Sequence, residues 1–192
     1  MQSQEMALIV QDAVLLPSGR LEIEIVSPGE LKQIARVLKG HFPLAFGAER
    51  KNADLPCYIT ATECRIIDFN QTESGSLCVV LEGHQRIKIL SVGQHRNGTY
   101  TARTLACPNW RQEPISGEFE IISAALEQFY QVNPELLDLY SSIHLEDASW
   151  VSQRWLEVLP MYNRDKIMLA DQPNCRKTLD FVLQLLKSHV DV

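Results

Sequence analysis

The chain contains no Gly-Lys pair and no Gly-x-Gly-x-x-Gly run. Nucleotide phosphates are cradled by consecutive glycine amides with a lysine and a Ser/Thr ahead of a helix. The segment Leu16-Pro17-Ser18-Gly19-Arg20 is therefore read as a turn and not as a phosphate loop. Cys-x-x-Cys and His-Glu-x-x-His, the close spacings that gather zinc ligands, are missing. Cys78 and His84 flank one segment without an obvious third ligand, and a buried thiol beside a surface imidazole is the simpler reading. The Gly-x-Ser-x-Gly elbow that presents a hydrolase serine is also absent. No apolar run reaches the length of a transmembrane helix. Residues 1–6, MQSQEM, lack the basic start of a secretory leader. Internal repeats and low-complexity tracts are absent.

What is present is an ordinary globular composition. The 192 residues are 45% hydrophobic and 22% charged, enough for one large domain or one domain with a small lobe. A net charge of −6 disfavours a nucleic-acid partner, which usually meets a basic face. The Asn-x-Thr triplets at Asn70 and Asn97 are chance matches without a secretory route. Cys57, Cys64, Cys78, Cys107 and Cys175 are odd in number and widely spaced. They fit reduced thiols in a cytoplasmic protein better than a disulfide framework.

The first half reads as strands. In residues 20–26, RLEIEIV, Leu21, Ile23 and Ile25 alternate with Arg20, Glu22 and Glu24, as in a half-buried strand. Ser27 and Pro28 then suit the cap and first position of a helix near 28–40, with Leu31, Ile34, Ala35 and Leu38 at helical spacing and Gly40 as its stop. Alternation resumes over 41–47 through Phe42, Leu44 and Phe46. Residues 57–69, rich in β-branched and aromatic side chains, read as a long or bent strand, and QTESGS at 71–76 as a turn. Residues 77–90 place Leu77, Val79, Leu81, Ile87 and Ile89 on one face. Gly83 interrupts that face, as at a bulge or close backbone approach. Asn97-Gly98 predicts a type I′ hairpin turn, with residues 100–106 as the return strand.

From residues 107–114 onward the periodicity is helical. Phe119, Ile122, Leu126 and Phe129 recur at steps of three and four within 117–132. Asn133-Pro134-Glu135 reads as a cap, a first-position proline and a first-turn acid. Asp147 or Ser149 can cap a helix ending at Pro160, Asn163 a short one, and Pro173 opens the last. In that last helix Cys175, Leu179, Val182, Leu183 and Leu186 form an apolar stripe. The expected organisation is α+β: a β-rich lobe over residues 1–113 and a helical bundle over 114–192.

Candidate site residues are few. Glu22/Glu24 and Glu118/Glu120 read as solvated faces and not as catalytic pairs. Trp150 and Trp155, five apart, point in different directions on one helix, and core packing is the default for any single Trp. Trp110, Trp150 and Tyr162 are the candidates for partner contact, because their sequence surroundings are polar. No catalytic residue, metal ligand or cofactor is assigned. A shallow apolar patch with a polar rim is the form such a contact site would take. An alternative is binding of RNA or a small ligand, with Arg65, Arg86, Lys88, Arg96 and Arg103 as a local basic strip.

Taken in order along nearly the whole chain, these residues resemble the N-terminal, substrate-binding domain of the ATP-dependent Lon protease. That family carries a segment like FPGGxLPLxIFEPRY, matched by Leu16-Pro17-Ser18-Gly19, Leu21, Ile23, Ile25 and Pro28. Its Gly-x-x-Arg-x-x-Ile looks like Gly83, Arg86 and Ile89. Its late LPL, Lys-Gln and Arg-Leu look like Leu159-Pro160-Met161, Lys166 and Leu179. The chain departs from it at Ser27-Pro28-Gly29-Glu30, Ile167 and Thr178. The resemblance implies a PUA-like β-barrel lobe followed by a helical bundle. It further implies a stand-alone, non-enzymatic, proteolysis-related module without the ATPase and protease parts, whose partners are unfolded or partner protein segments, with no membrane role.

Overall fold

A computed structural model describes residues 2–40, 42–72 and 75–190, the side chains of the last two excepted. His41, Glu73 and Ser74, on which parts of the expected strand and turn fall, lie outside the described residues. The chain is mixed α+β and divides into two compact units, Met1–Asn109 and Trp110–Val192.

The first unit holds β1 (Gln4–Gln11), β2 (Arg20–Ile25), α1 (Pro28–Leu38), β3 (Leu44–Ala48), β4 (Thr60–Gln71), β5 (Leu77–Gln94) and β6 (Tyr100–Ala106). The sheet order is β2-β5-β4-β3-β1-β6, and a further β5–β6 pairing joins five strands into a ring. β1 and β3 run parallel, with Ala7 opposite Leu44. The strand β1 goes beyond the expected elements. Its run of Met6, Ala7, Leu8 and Ile9 is buried on both faces and so shows no alternation. β3 is buried at all five positions for the same reason.

Two cores occupy the two faces of this sheet. One gathers Met6, Leu8, Ala45, Ala61, Ile87, Ile89 and Ala102, from all five ring strands. The other gathers Ala7, Ile9, Ile23, Ile25, Leu44, Phe46, Val79 and Leu81, with Ile34 of α1. Val79 and Leu81 thus face one core, and Ile87 and Ile89 the other, which corrects the single apolar face expected over 77–90. The cause is a bulge. Cys64 pairs with Gly83 and Glu63 with Gln85, so His84 has no opposite number. One extra residue inverts the alternation over the stretch that follows, through Ile87 and Ile89, up to a second irregularity between Ile89 and Ser91.

Gly83 meets the other expectation as well. Its amide donates to the Gly19 carbonyl (2.9 Å), and its carbonyl accepts from Ser18 (2.8 Å). A Cβ there would overlap the Leu16 carbonyl oxygen. The Leu-Pro-Ser-Gly turn and the glycine strand are therefore one piece of architecture. Ser27 and Glu30 form a full capping box at the start of α1. The β5–β6 hairpin does not use the expected type I′ turn. The Gly98 amide donates to the His95 carbonyl (2.9 Å), and Gly98 alone takes positive φ. The Asn97 side chain instead accepts from the Thr99 amide and hydroxyl, which holds Asn97 at negative φ.

The second unit holds a 3₁₀ turn (Gly117–Phe119), α2 (Glu120–Val132), α3 (Pro134–Leu137), α4 (Ala148–Val158), α5 (Asn163–Ala170) and α6 (Arg176–Val190). Asp147 caps α4 through the Ser149 amide. Asn133 donates back to the Phe129 carbonyl, closing α2 instead of capping α3. Asn163 is the first residue of α5 and not its cap, and α6 opens at Arg176, three residues after Pro173. Ile122, Leu126, Val151, Leu156, Leu179, Val182 and Leu183 are buried. No helix among the described residues is long and apolar enough to cross a membrane.

Candidate functional site: an apolar groove at the turn between α4 and α5

Helix α4 stops where proline must stop it. Leu159 turns extended, Pro160 follows, and the Met161 amide donates to the Leu159 carbonyl (2.8 Å). Tyr162 then starts α5 with its backbone alone, its carbonyl accepting from the Asp165 and Lys166 amides (2.9 and 3.2 Å). Its ring is left outside, 83% exposed. One turn and a half further on, Met168 is 59% exposed, while Ile167 and Ala170 carry the buried side of the helix.

Tyr162 and Met168, with Pro160, Met161, Leu169 and Phe181 of α6, line an open groove of about 720 Å³. Among the described lining residues only Asp165 is charged, and it sits in the first turn of α5, where a carboxylate complements the helix dipole. Its carboxylate accepts from the neighbouring Arg164 Nε (3.2 Å). Methionine and aromatic side chains offer deformable, polarizable contact surface.

The turn is held from below. Lys166, buried, donates to the Glu157 carbonyl (3.0 Å) and so satisfies an end carbonyl of α4. Arg154 is fully buried and grips the Glu157 carboxylate with two bonds, Nε (2.6 Å) and Nη2 (3.0 Å). Burial opposes its charge, and the Glu157 carboxylate outweighs that, so the guanidinium is held above its ordinary pKa. The Arg154 guanidinium also lies 5.4 Å over the Trp150 ring.

Of the three aromatic candidates, Tyr162 lines the groove. Trp110 is 8% exposed, and its indole N–H donates to the Gln172 carbonyl (2.7 Å). Trp150 is 4% exposed, in ring contact with Tyr130, Tyr140 and His144. The polar residues beside Trp110 (Asn109, Arg111, Gln112) are exposed, whereas those around Trp150 (Ser149, Ser152, Gln153, Arg154) are themselves buried with it. Met168 and Phe181 belong to no motif in the sequence, and Met161 enters only as the last residue of Leu159-Pro160-Met161. Their one signal is that Tyr162 and Met168 are large apolar residues off the buried Ile167/Ala170 side of α5.

The family model of the ATP-dependent protease La (LON) substrate-binding domain matches residues 6–188. The chain belongs to that family. Among solved structures, the LON fold seen here is similar to a Lon N-terminal domain protein from Xanthomonas campestris. The TM-score is 0.74 at 19% identity, over 94% of this chain and 98% of that one. It is also similar to the N-terminal domain of the Mycobacterium avium complex Lon protease, with TM-score 0.66 at 12% identity over 97% and 100% of the two chains. No curated protein matches the chain.

Within this LON-family chain the motif Leu159-Pro160-Met161 with Lys166 forms the turn and its anchor under the groove. Four of the five basic residues in the alternative reading, Arg65, Arg86, Lys88 and Arg103, have a hydrogen-bond acceptor or an opposite acid within the first unit. The Arg86 side chain donates to the Pro108 carbonyl, Lys88 to the Thr60 hydroxyl and Arg103 to the Ser3 hydroxyl. Glu82 and Glu5 stand opposite Arg65 and Arg103 in the strand register.

Proposed function

We propose that the groove at the α4–α5 turn binds extended, apolar segments of unfolded protein substrates without acting on them. The observation that carries the reading is the exposed Tyr162–Met168 pair over a deformable apolar trough, in a chain whose family is described by substrate binding. Tyr162 makes the direct contact. Trp110 and Trp150 serve it as packing, Trp150 through Arg154 and the Glu157 anchor. A segment in the groove exchanges apolar area for apolar area, and the Arg164–Asp165 pair forms part of the polar rim. The five free cysteines fit a cytoplasmic setting. The reading needs no cofactor, metal or nucleic acid.

Titration with a reduced, carboxymethylated model protein tests it, followed by fluorescence anisotropy. Saturable binding is expected, weakened about tenfold by Tyr162→Ala and further by Met168→Glu, in line with ~1.4 kcal/mol for an aromatic anchor. Both residues are exposed, so both variants should melt as the parent does. Binding unchanged in the double variant would remove the groove from the reading.

A further inference from the structure

A second cavity, of about 200 Å³, lies within the first unit between α1 and the β5–β6 hairpin. Helix α1 presents Lys32 and Arg36, one helical turn apart and so on one face. The hairpin presents His95 and Asn97 from the other side, with Thr101 of β6. Two contacts hold the walls in place. The Gln33 amide, buried, donates to the Tyr100 carbonyl (2.6 Å) and ties α1 to β6. Gly29 lets the helix start close on the loop, since a Cβ there would stand 2.7 Å from the Asn97 carbonyl oxygen. The Arg36 guanidinium is steered by the Phe42 ring, 5.0 Å below it.

The charge in this cleft runs against the rest of the molecule. The chain carries a net −6, yet among the described residues no carboxylate lines the cavity. Among the described residues no acidic side chain comes within ion-pair range of Lys32, Arg36 or His95. Lys32 and Arg36, two cations gathered without a counter-ion, repel, and an anion placed between them relieves that repulsion while its oxygens take their N–H groups. The size is that of one small group, below the 300–1,000 Å³ typical of drug-sized ligands. A phosphoryl group suits it better than a carboxylate. It carries about two negative charges and three acceptor oxygens in a tetrahedron, enough for a lysine, an arginine fork and the hairpin donors together.

We propose that this cleft binds the phosphoryl group of a phosphate monoester, a role separate from the groove of the second unit. The ester can belong to a free small molecule or to a phosphorylated side chain, and the probes distinguish the two. Inorganic phosphate, phosphoserine, a phosphoserine peptide and its unphosphorylated twin are titrated into the full chain by calorimetry, against chloride at matched ionic strength. Saturable binding of inorganic phosphate is expected, with the Lys32→Gln/Arg36→Gln double variant at least tenfold weaker and Tyr162→Ala unchanged. Tighter binding of the phosphoserine peptide assigns a phosphorylated protein as the source, and equal affinity for phosphate and both phosphoserine forms assigns a free ester. Either assignment also requires the loss in the double variant. Should that variant lose its native melt, Lys32→Gln alone carries the test. An equal response to chloride, absence of saturation with inorganic phosphate at millimolar concentration, or undiminished binding by the variants would overturn the proposal.

Discussion

Thr178 is fully buried in α6, and its hydroxyl meets no hydrogen-bond partner among the described residues. A buried hydroxyl that has left water and found nothing costs roughly 1–3 kcal/mol. Thr178→Val keeps the shape and removes the orphan group, so it should stabilise by about 1 kcal/mol, read as a higher urea midpoint at unchanged m-value. Glu157 is the opposite case. It answers the fully buried Arg154 with two short bonds. Glu157→Gln leaves that guanidinium buried without its counter-charge and should cost about 3 kcal/mol. The same substitution loosens the turn that carries Tyr162, so the loss in stability should come with weaker substrate binding. A Glu157→Gln chain that melts with the parent would mean the pair contributes nothing.

At the scale of elements, β5 decides how the first unit is built. It serves β2, β4 and β6 along its 18 residues, and it changes core part-way because His84 is an unpaired extra residue. The His84 side chain itself is exposed. His84→Ala should therefore stay within about 0.5 kcal/mol of the parent. Deleting His84 should abolish the native ring, because it turns Ile87 and Ile89 out of the ring core. Hydrogen exchange over β5 and β6 separates the two: protection retained in the first variant, lost in the second. The alternation of Leu77, Val79, Leu81, Ile87 and Ile89 was legible in the sequence, and so was an irregularity at Gly83. The inversion was not, since the count of paired residues depends on the partner strand. α1 shows the same division. Its capping box and its end were legible from neighbours one to four residues away. Which of its apolar residues pack was not: Ile34 is buried, while Leu31 and Leu38 remain 50% and 55% exposed.

For the molecule as a whole, the cysteines report on the integrity of the fold. All five are free, and only Cys107 escapes full burial. Burial pushes the Cys57 thiol up to about 11 and raises Cys64 as well. The sign follows from linkage. Below about pH 8.5 both folded and unfolded chains keep these thiols protonated, and nothing changes. Above it the unfolded chain ionises first, so stability falls as pH rises from about 9 towards 11. Cys57→Ala should flatten that alkaline decline in melting temperature relative to the parent. An identical slope would mean that Cys57 titrates alike in both states.

The groove was legible by halves: Tyr162 stood out as an aromatic in a polar stretch, but Met168 and Phe181 gain meaning only from the helices that bring them beside it. The cationic cleft left no trace in the sequence, because Lys32 and Arg36 stand some sixty positions before His95 and Asn97 in an acidic chain. What the sequence by itself determined is local: the period of each segment, the Ser27–Glu30 cap, the proline stop at 160, and the family motifs that the fold later joins. These rest on sterics and hydrogen bonds between near neighbours. What only the tertiary structure decided is which face each segment buries, the parallel β1–β3 closure, and where charge and apolar surface collect. Burial and field are set by residues far apart in the chain, and those meet only once it has folded.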